Sequence, residues 1–185
     1  MYNIDMNMKK STILQILTAL ILALIIFFGV QAIIESRVVE GSSMEANLYD
    51  GQRLIVVKAA YWFGEPQRGD VIIFRHPLDP GRTLVKRVVG LPGEHIEIKD
   101  GLVYIDGSPL YEPYVKGMVS TSCQGSYCDL EIPQEQYFVM GDNRTASSDS
   151  RFWGMVPRGD IIGRAWLLYW PLSDWHLISG NSYAN

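Results

Sequence analysis

From Ser11 to Ile34 the chain carries no charged residue, and from Ile13 onward only Gln15, Thr18 and Gln31 interrupt an apolar run. A run apolar on every face has no solvent side, which weighs against the helix of a soluble core. As a helix it would reach roughly 30 to 35 Å, close to the ~30 Å hydrocarbon core of a bilayer and longer than a secretory h-region of about 7 to 15 residues. A transmembrane anchor over 11–34 is expected. Lys9 and Lys10 precede it and Glu35, Arg37 and Glu40 follow it. Basic residues collect on the cytoplasmic side of a membrane, so residues 1–10 are expected in the cytoplasm and 35–185 outside it. Val30-Gln31-Ala32 matches the small-residue spacing of a processing site, which makes a cleavable signal peptide the competing reading.

The remainder is a folding sequence of one-domain size. Hydrophobic residues make up 48% and charged residues 19% of the chain, which excludes a disordered polyelectrolyte. The 16 basic and 20 acidic residues leave a net charge of -4, so no basic field is available to hold a phosphate backbone and nucleic acid is excluded as a partner. After the anchor, short β-rich runs recur at 54–57, 71–74, 84–89, 96–98, 102–105, 137–140 and 161–169, separated by Gly, Pro and Asp turns. Asp100-Gly101 marks the clearest hairpin. Ala59–Phe63 reads as one short helical turn. The fold class expected is mainly β, an antiparallel sandwich or partly open barrel behind one N-terminal transmembrane helix. Tyr61, Trp62, Phe63, Trp166, Trp170 and Trp175 read equally as interfacial aromatics or as core.

Cys123 and Cys128 lie on the extracytoplasmic side by this topology, where a disulfide closing the 123–128 loop is expected. With only two cysteines, and with His76, His95 and His176 far apart in sequence, no metal site is expected.

Three segments carry usable chemistry. Val38-Val39-Glu40-Gly41-Ser42-Ser43-Met44 breaks an extended run at a glycine and presents two hydroxyls, though Gly-Ser-Ser alone is a common loop. In Leu84–Gly93, the period of two puts Lys86 on the face of Leu84 and Val88 and turns Arg87 the other way. Hydrocarbon around a lysine disfavours its ammonium and lowers its pKa, as a general base requires; a stem that snorkels to water is the alternative. Gly141–Gly154 is a polar loop in which Asp142, Arg144, Asp149 and Arg151 can lock one conformation by pairing carboxylates with guanidiniums.

In this order behind one anchor, the segments resemble the bacterial type I signal peptidases, peptidase family S26, membrane-bound serine proteases that release exported proteins from their signal peptides. The carriers are Ser43-Met44 with Leu48, Arg68-Gly69-Asp70-Val71-Ile72-Ile73-Phe74, Lys86 through Glu94, and Gly141-Asp142-Asn143-Arg144 through Gly154. The resemblance implies a LexA-like β fold and a Ser/Lys dyad without histidine, in which Ser43 is the nucleophile and Lys86 its general base. Ser147 would hydrogen-bond the lysine amine, and Asp142, Arg144, Asp149 and Arg151 would scaffold that loop. Val39, Leu48, Ile73, Leu84 and Val85 match the walls of two shallow pockets that select small residues in an Ala-x-Ala pattern. Also implied are an acyl-enzyme, no cofactor, preprotein signal peptides as substrates, and the lipid bilayer and a neighbouring export translocon as surroundings. The location implied is the bacterial cytoplasmic membrane, crossed once with the N-terminus inside.

The chain departs from the family's Ser-Met-x-Pro-Thr-Leu by reading Ser43-Met44-Glu45-Ala46-Asn47-Leu48, and it has Gly41 where some members carry an oxyanion-binding hydroxyl. Loss of the proline frees the turn after the nucleophile without removing a reacting group. Two other classes compete with a signal peptidase: a LexA-type self-cleaving regulator, which lacks an anchor and carries a DNA-binding domain, and an inactive membrane-tethered β domain that binds exported chains.

Overall fold

A computed structural model describes residues 2–115, 121–123, 125–178 and 180. Met1 and 181–185, the ends of the expected segments, lie outside the described residues, as does Gln124 within the cysteine loop. Helix α1, Tyr2–Ile33, contains a 22-residue apolar span, Thr12–Ile33, with mean hydropathy 2.8 and no part buried against the protein. Its length and composition suit a membrane anchor. The expected anchor runs to Ile34, whereas the chain turns there directly into strand β1, Ile34–Val38. β1 pairs along its whole length with β2, Arg53–Val57, so the backbone groups of Ile34 are taken by a sheet ladder rather than a further helical turn. No linker separates anchor and domain. Lys58 Nζ donates to the Gln31 carbonyl at 2.6 Å, tying down the last turn of the helix.

Ten more strands follow: β3 Val71–His76, β4 Asp79–Gly90, β5 His95–Lys99, β6 Leu102–Ile105, β7 Ser108–Pro109, β8 Asp129–Glu131, β9 Gln136–Met140, β10 Val156–Pro157, β11 Ile161–Trp170 and β12 His176–Leu177. A single helical turn, α2, Ser150–Trp153, sits between β9 and β10. The pairing is antiparallel throughout. The larger sheet runs β1-β2-β11-β3-β4-β9-β10 with β12 on β11, and the smaller runs β7-β6-β5-β8. Neither closes into a barrel, in keeping with the expected antiparallel sandwich or partly open barrel. The β5–β6 hairpin turns at Asp100-Gly101, both with positive φ (52° and 81°), a geometry that a glycine at the second position favours.

The larger sheet is buried on both faces around the site. One face packs Leu54, Val56, Val71, Ile73, Ala165 and Leu168 under Val39, Met44 and Leu48. The other packs Ile72, Phe74, Val88 and Val139 against Trp153. Val89, Phe138 and Met140 meet Ile96, Ile98, Val103, Ile105 and Ile132 where the smaller sheet docks. Among the aromatics left open by sequence, Tyr61 is core and donates to Asp70 Oδ2 at 2.8 Å, while Trp62, Phe63, Trp166, Trp170 and Trp175 are exposed.

Gly163 sets how closely β11 and β2 approach. A Cβ there would lie 2.7 Å from the Val57 carbonyl oxygen and 3.0 Å from Lys58 Cα, both backbone atoms that cannot swing away. Gly163→Ala is therefore expected to destabilise the domain by about 1–3 kcal/mol. Thermal unfolding should show a lowered Tm, and an unchanged Tm would contradict the packing described.

Candidate active site

The turn after β1 places the first hydroxyls. Gly41 adopts φ +79°, a left-handed conformation that glycine takes without a Cβ penalty, and its N–H donates to Asp50 Oδ1 at 2.7 Å. The chain then coils once: Glu45 N donates to Ser42 O, and Asn47 N and Leu48 N both donate to Met44 O. Met44 and Leu48 are almost fully buried and plug this turn into the core beneath it. Ser43 sits between the plug and the neighbouring strand, whereas Ser42 is exposed. Among the described residues no protein acceptor takes the Ser43 N–H. The Glu45–Ala46 peptide bond is cis.

Lys86 projects from the middle of β4, opposite Ile72 of β3, and only 3% of it is exposed. Its Nζ donates to Ser43 Oγ at 2.6 Å and to the Val85 carbonyl at 3.1 Å. Burial brings its pKa down to about 8; Asp149 and Asp142 pull upward, and Arg82 adds to the lowering. The two carboxylates have arginine partners that hold their charge away from the amine. Asp142 accepts from Arg87 Nε at 2.8 Å and Nη2 at 2.7 Å, both residues buried. Asp149 accepts from Arg151 Nε at 2.8 Å and Nη2 at 2.9 Å, caps α2 and takes the Gly141 N–H.

The loop network differs from the expectation that its four charged residues pair among themselves. Only Asp149 and Arg151 do. Asp142 turns to Arg87 of β4, and Arg144 forms a two-pronged pair with Glu112 and donates to Thr121 Oγ1. Burial works against the Arg144 charge, but hydrogen bonds and attraction from Glu112 outweigh it and raise its pKa. Arg151 reaches across the loop to the carbonyls of Arg144 (2.8 Å), Ser147 (3.3 Å) and Ser122 (3.0 Å). Sequence gave no warning of Glu112 or Tyr114, whose ring lies 4.3 Å below the Arg87 guanidinium. Arg87 turns away from Lys86 as expected, yet into a buried ion pair.

The lysine amine is hydrogen-bonded to Ser43 and Val85, and the Ser147 hydroxyl is buried and has no hydrogen-bond partner among the described residues. Arg151 holds the Ser147 carbonyl and seats the side chain on Gly141, where an added Cβ would meet both Ser147 Oγ and Ser43 O within 2.4 Å. Only glycine permits that approach.

Beside the pair opens a groove of about 550 Å³, lined by Val38, Ser43, Ile73, Leu84, Val85 and Lys86 among others, with Arg37, Glu40, His76 and Arg82 along it. β1 is the outer strand of its sheet, and β9 pairs with β4 only from Arg87 onward, which leaves the Arg82–Lys86 stretch without a strand on that side. Three of the expected wall residues, Ile73, Leu84 and Val85, line the groove. Val39 and Leu48 do not: alternation along the strand puts Val38 in the groove and turns Val39 into the core, where Leu48 joins it behind Ile73. Cys123 and Cys128 are joined by a disulfide whose loop carries Cys123 and Tyr127 against the small-sheet core. Among the described residues no cluster of metal-ligating side chains occurs.

Residues 10–170 match the family model described as "Signal peptidase, peptidase S26". A probable signal peptidase I-1 of Synechocystis sp. is 40% identical over 173 residues, covering 90% of this chain and 85% of that one. Signal peptidase I U of Bacillus subtilis is 36% identical over 90% of this chain and 91% of its own length. A crystal structure of a signal peptidase I from Enterococcus faecalis superposes with a TM-score of 0.46 at 35% identity, covering 54% of this chain and 96% of that one. By the extent of the family-model match and of the matches to the two curated relatives, the chain belongs to the signal peptidase family, peptidase S26.

Proposed function

We propose that this protein is a membrane-bound serine endopeptidase that removes signal peptides from exported preproteins, with Ser43 as nucleophile and Lys86 as general base. The observation that carries the proposal is the 2.6 Å contact between Lys86 Nζ and Ser43 Oγ inside a buried site. When the amine is neutral the contact reverses: the Ser43 O–H donates to the Nζ lone pair. Attack on the scissile carbonyl transfers that proton to Lys86 and forms the Oγ–C bond; Lys86 then protonates the leaving nitrogen as the peptide bond breaks. Water, deprotonated by the same amine, releases the acyl group and restores Ser43. The Ser43 N–H is the donor open to the developing oxyanion. Ser147, with a buried hydroxyl next to the Ser43 carbonyl, is the acceptor left for Lys86 as an ammonium.

The substrate lies extended in the groove against the free edges of β1 and β4, so residues one and three before the cut face the same wall. Ile73, Leu84 and Val85 make that wall aliphatic and shallow, which suits alanine in an Ala-x-Ala pattern. The apolar span Thr12–Ile33 forms the anchor, with the N-terminal segment before it cytoplasmic and the β domain from Ile34 onward outside the bacterial cytoplasmic membrane, near the export translocon. The absence of a linker holds the groove close to the bilayer, where the exposed Trp62 and Phe63 meet lipid headgroups.

Incubation of the detergent-solubilised protein with a preprotein carrying an Ala-x-Ala site should give one cut after the second alanine, located by mass spectrometry. Ser43→Ala and Lys86→Ala should each lower kcat by at least about 10³-fold with the fold retained. Turnover near wild type in either variant would remove that residue from the mechanism, and no cut by the intact protein would favour a binding module.

Activity requires the unprotonated amine, so kcat/KM should rise with pH and level off above about 8, the pKa that burial gives Lys86. At pH 6 it should be about a hundredfold below the plateau, since each unit below the pKa removes about nine-tenths of the base. A profile flat from pH 6 to 10 would exclude a titrating lysine.

A further inference from the structure

We infer that Asn47 is a positioning residue that sets the reacting serine against its base, an inference that rests on the Ser43/Lys86 reading above. Asn47 and Ala46 occupy the places of the threonine and proline in the family pattern, so the turn after the nucleophile lacks the restraint on φ that a proline supplies. Two other restraints stand there. Near Ser43, Asn143 N donates to Ser43 O and Asn143 Nδ2 to Ser42 O, each at 3.1 Å. At the far end, Asn47 Nδ2 donates to the Tyr114 carbonyl at 2.7 Å and to Asp142 Oδ2 at 2.8 Å.

Both hydrogens of the primary amide are thereby used, in a part-buried place where an unmet acceptor is costly. The acceptors are rigid. Asp142 is held by both prongs of Arg87, which also donates to the Gly69 carbonyl, and Tyr114 is stacked under that guanidinium. Arg87 follows Lys86 in β4. The contacts therefore close a ring: Ser43 to Lys86, along the strand to Arg87, across to Asp142, and through Asn47 back into the turn that bears Ser43. Opening the ring at Asn47 leaves every reacting group present and lets the Ser43 Oγ to Lys86 Nζ separation drift. Misplacement of reacting atoms by about 1 Å costs on the order of a hundredfold in rate.

The experiment measures kcat, KM and Tm on the intact protein with the Ala-x-Ala preprotein, for Asn47→Ala, Asn47→Leu and Asn47→Thr, with Ser43→Ala as control. Asn47→Leu keeps the side-chain volume and removes the donors, so it serves where alanine loses the fold. The donor-free variant is expected to lose about tenfold or more in kcat with KM within about twofold, and Asn47→Thr, with one donor, to recover most of that loss. Wild-type kcat in a folded donor-free variant would overturn the inference. So would a change confined to KM, or a threonine variant no better than alanine, which would make the role one of packing. Substantial turnover by Ser43→Ala would instead overturn the dyad reading itself.

Discussion

A lysine amine buried without a carboxylate of its own is the constraint around which the rest of the site is arranged. Bringing an ammonium out of water is expensive, and that cost lowers the Lys86 pKa to about 8 and brings the neutral amine within reach. The surroundings must not undo this. Asp142 and Asp149 both lie close enough to raise the Lys86 pKa, and either could have become its ion-pair partner. Each is instead held by both prongs of an arginine, Arg87 or Arg151, and among the described residues the lysine amine meets a serine hydroxyl and a backbone carbonyl. The buried ion pairs thus bear on the protonation of a neighbour as well as on the shape of the loop.

The fold supplies what such an amine needs. β4 is covered on both faces from Lys86 to Gly90, so an inward side chain on either face is removed from water. The small sheet covers one end of β4, and the loop from Gly141 to Gly154 covers the middle, folded over Arg151 as it binds three carbonyls. Met44 fastens the serine turn from the core side. Continuous passage from α1 into β1, with Lys58 on the last helical turn, makes one wall of the groove an extension of the anchor. The distance from groove to bilayer is then set by helix and sheet geometry.

Much of this was legible in the chain. The uncharged run gave the helix because nothing else accommodates such a stretch, and period-two runs with Gly and Asp turns gave all seven expected strands. The short strands at β7, β8, β10 and β12 were not legible, since two or three residues carry no period. β1 was partly hidden because Ile33-Ile34 reads as the end of the apolar run until the ladder with β2 is seen. At the site, Ser43, Lys86 and the loop could be named from local pattern and resemblance. Partners distant in sequence could not: Asn47 to Asp142, Arg144 to Glu112, and Arg87 beneath Asp142 are decided by which strands lie side by side. Val39 and Leu48 lie in the core beneath the groove wall, because a resemblance names residues near a pocket without saying which way each side chain turns.

Burial lowers the Lys86 pKa to about 8, which makes the neutral amine accessible near physiological pH while Ser43 stays in contact with it. The most direct test is titration of the Lys86 side chain itself, by 13C NMR of a protein labelled at lysine Cε, with Lys86→Met identifying the resonance. The account predicts a midpoint near 8, set apart from lysines titrating near the ordinary value of 10.5. A Lys86 midpoint at that ordinary value would contradict it, because the amine would then be charged at working pH and unable to take the serine proton.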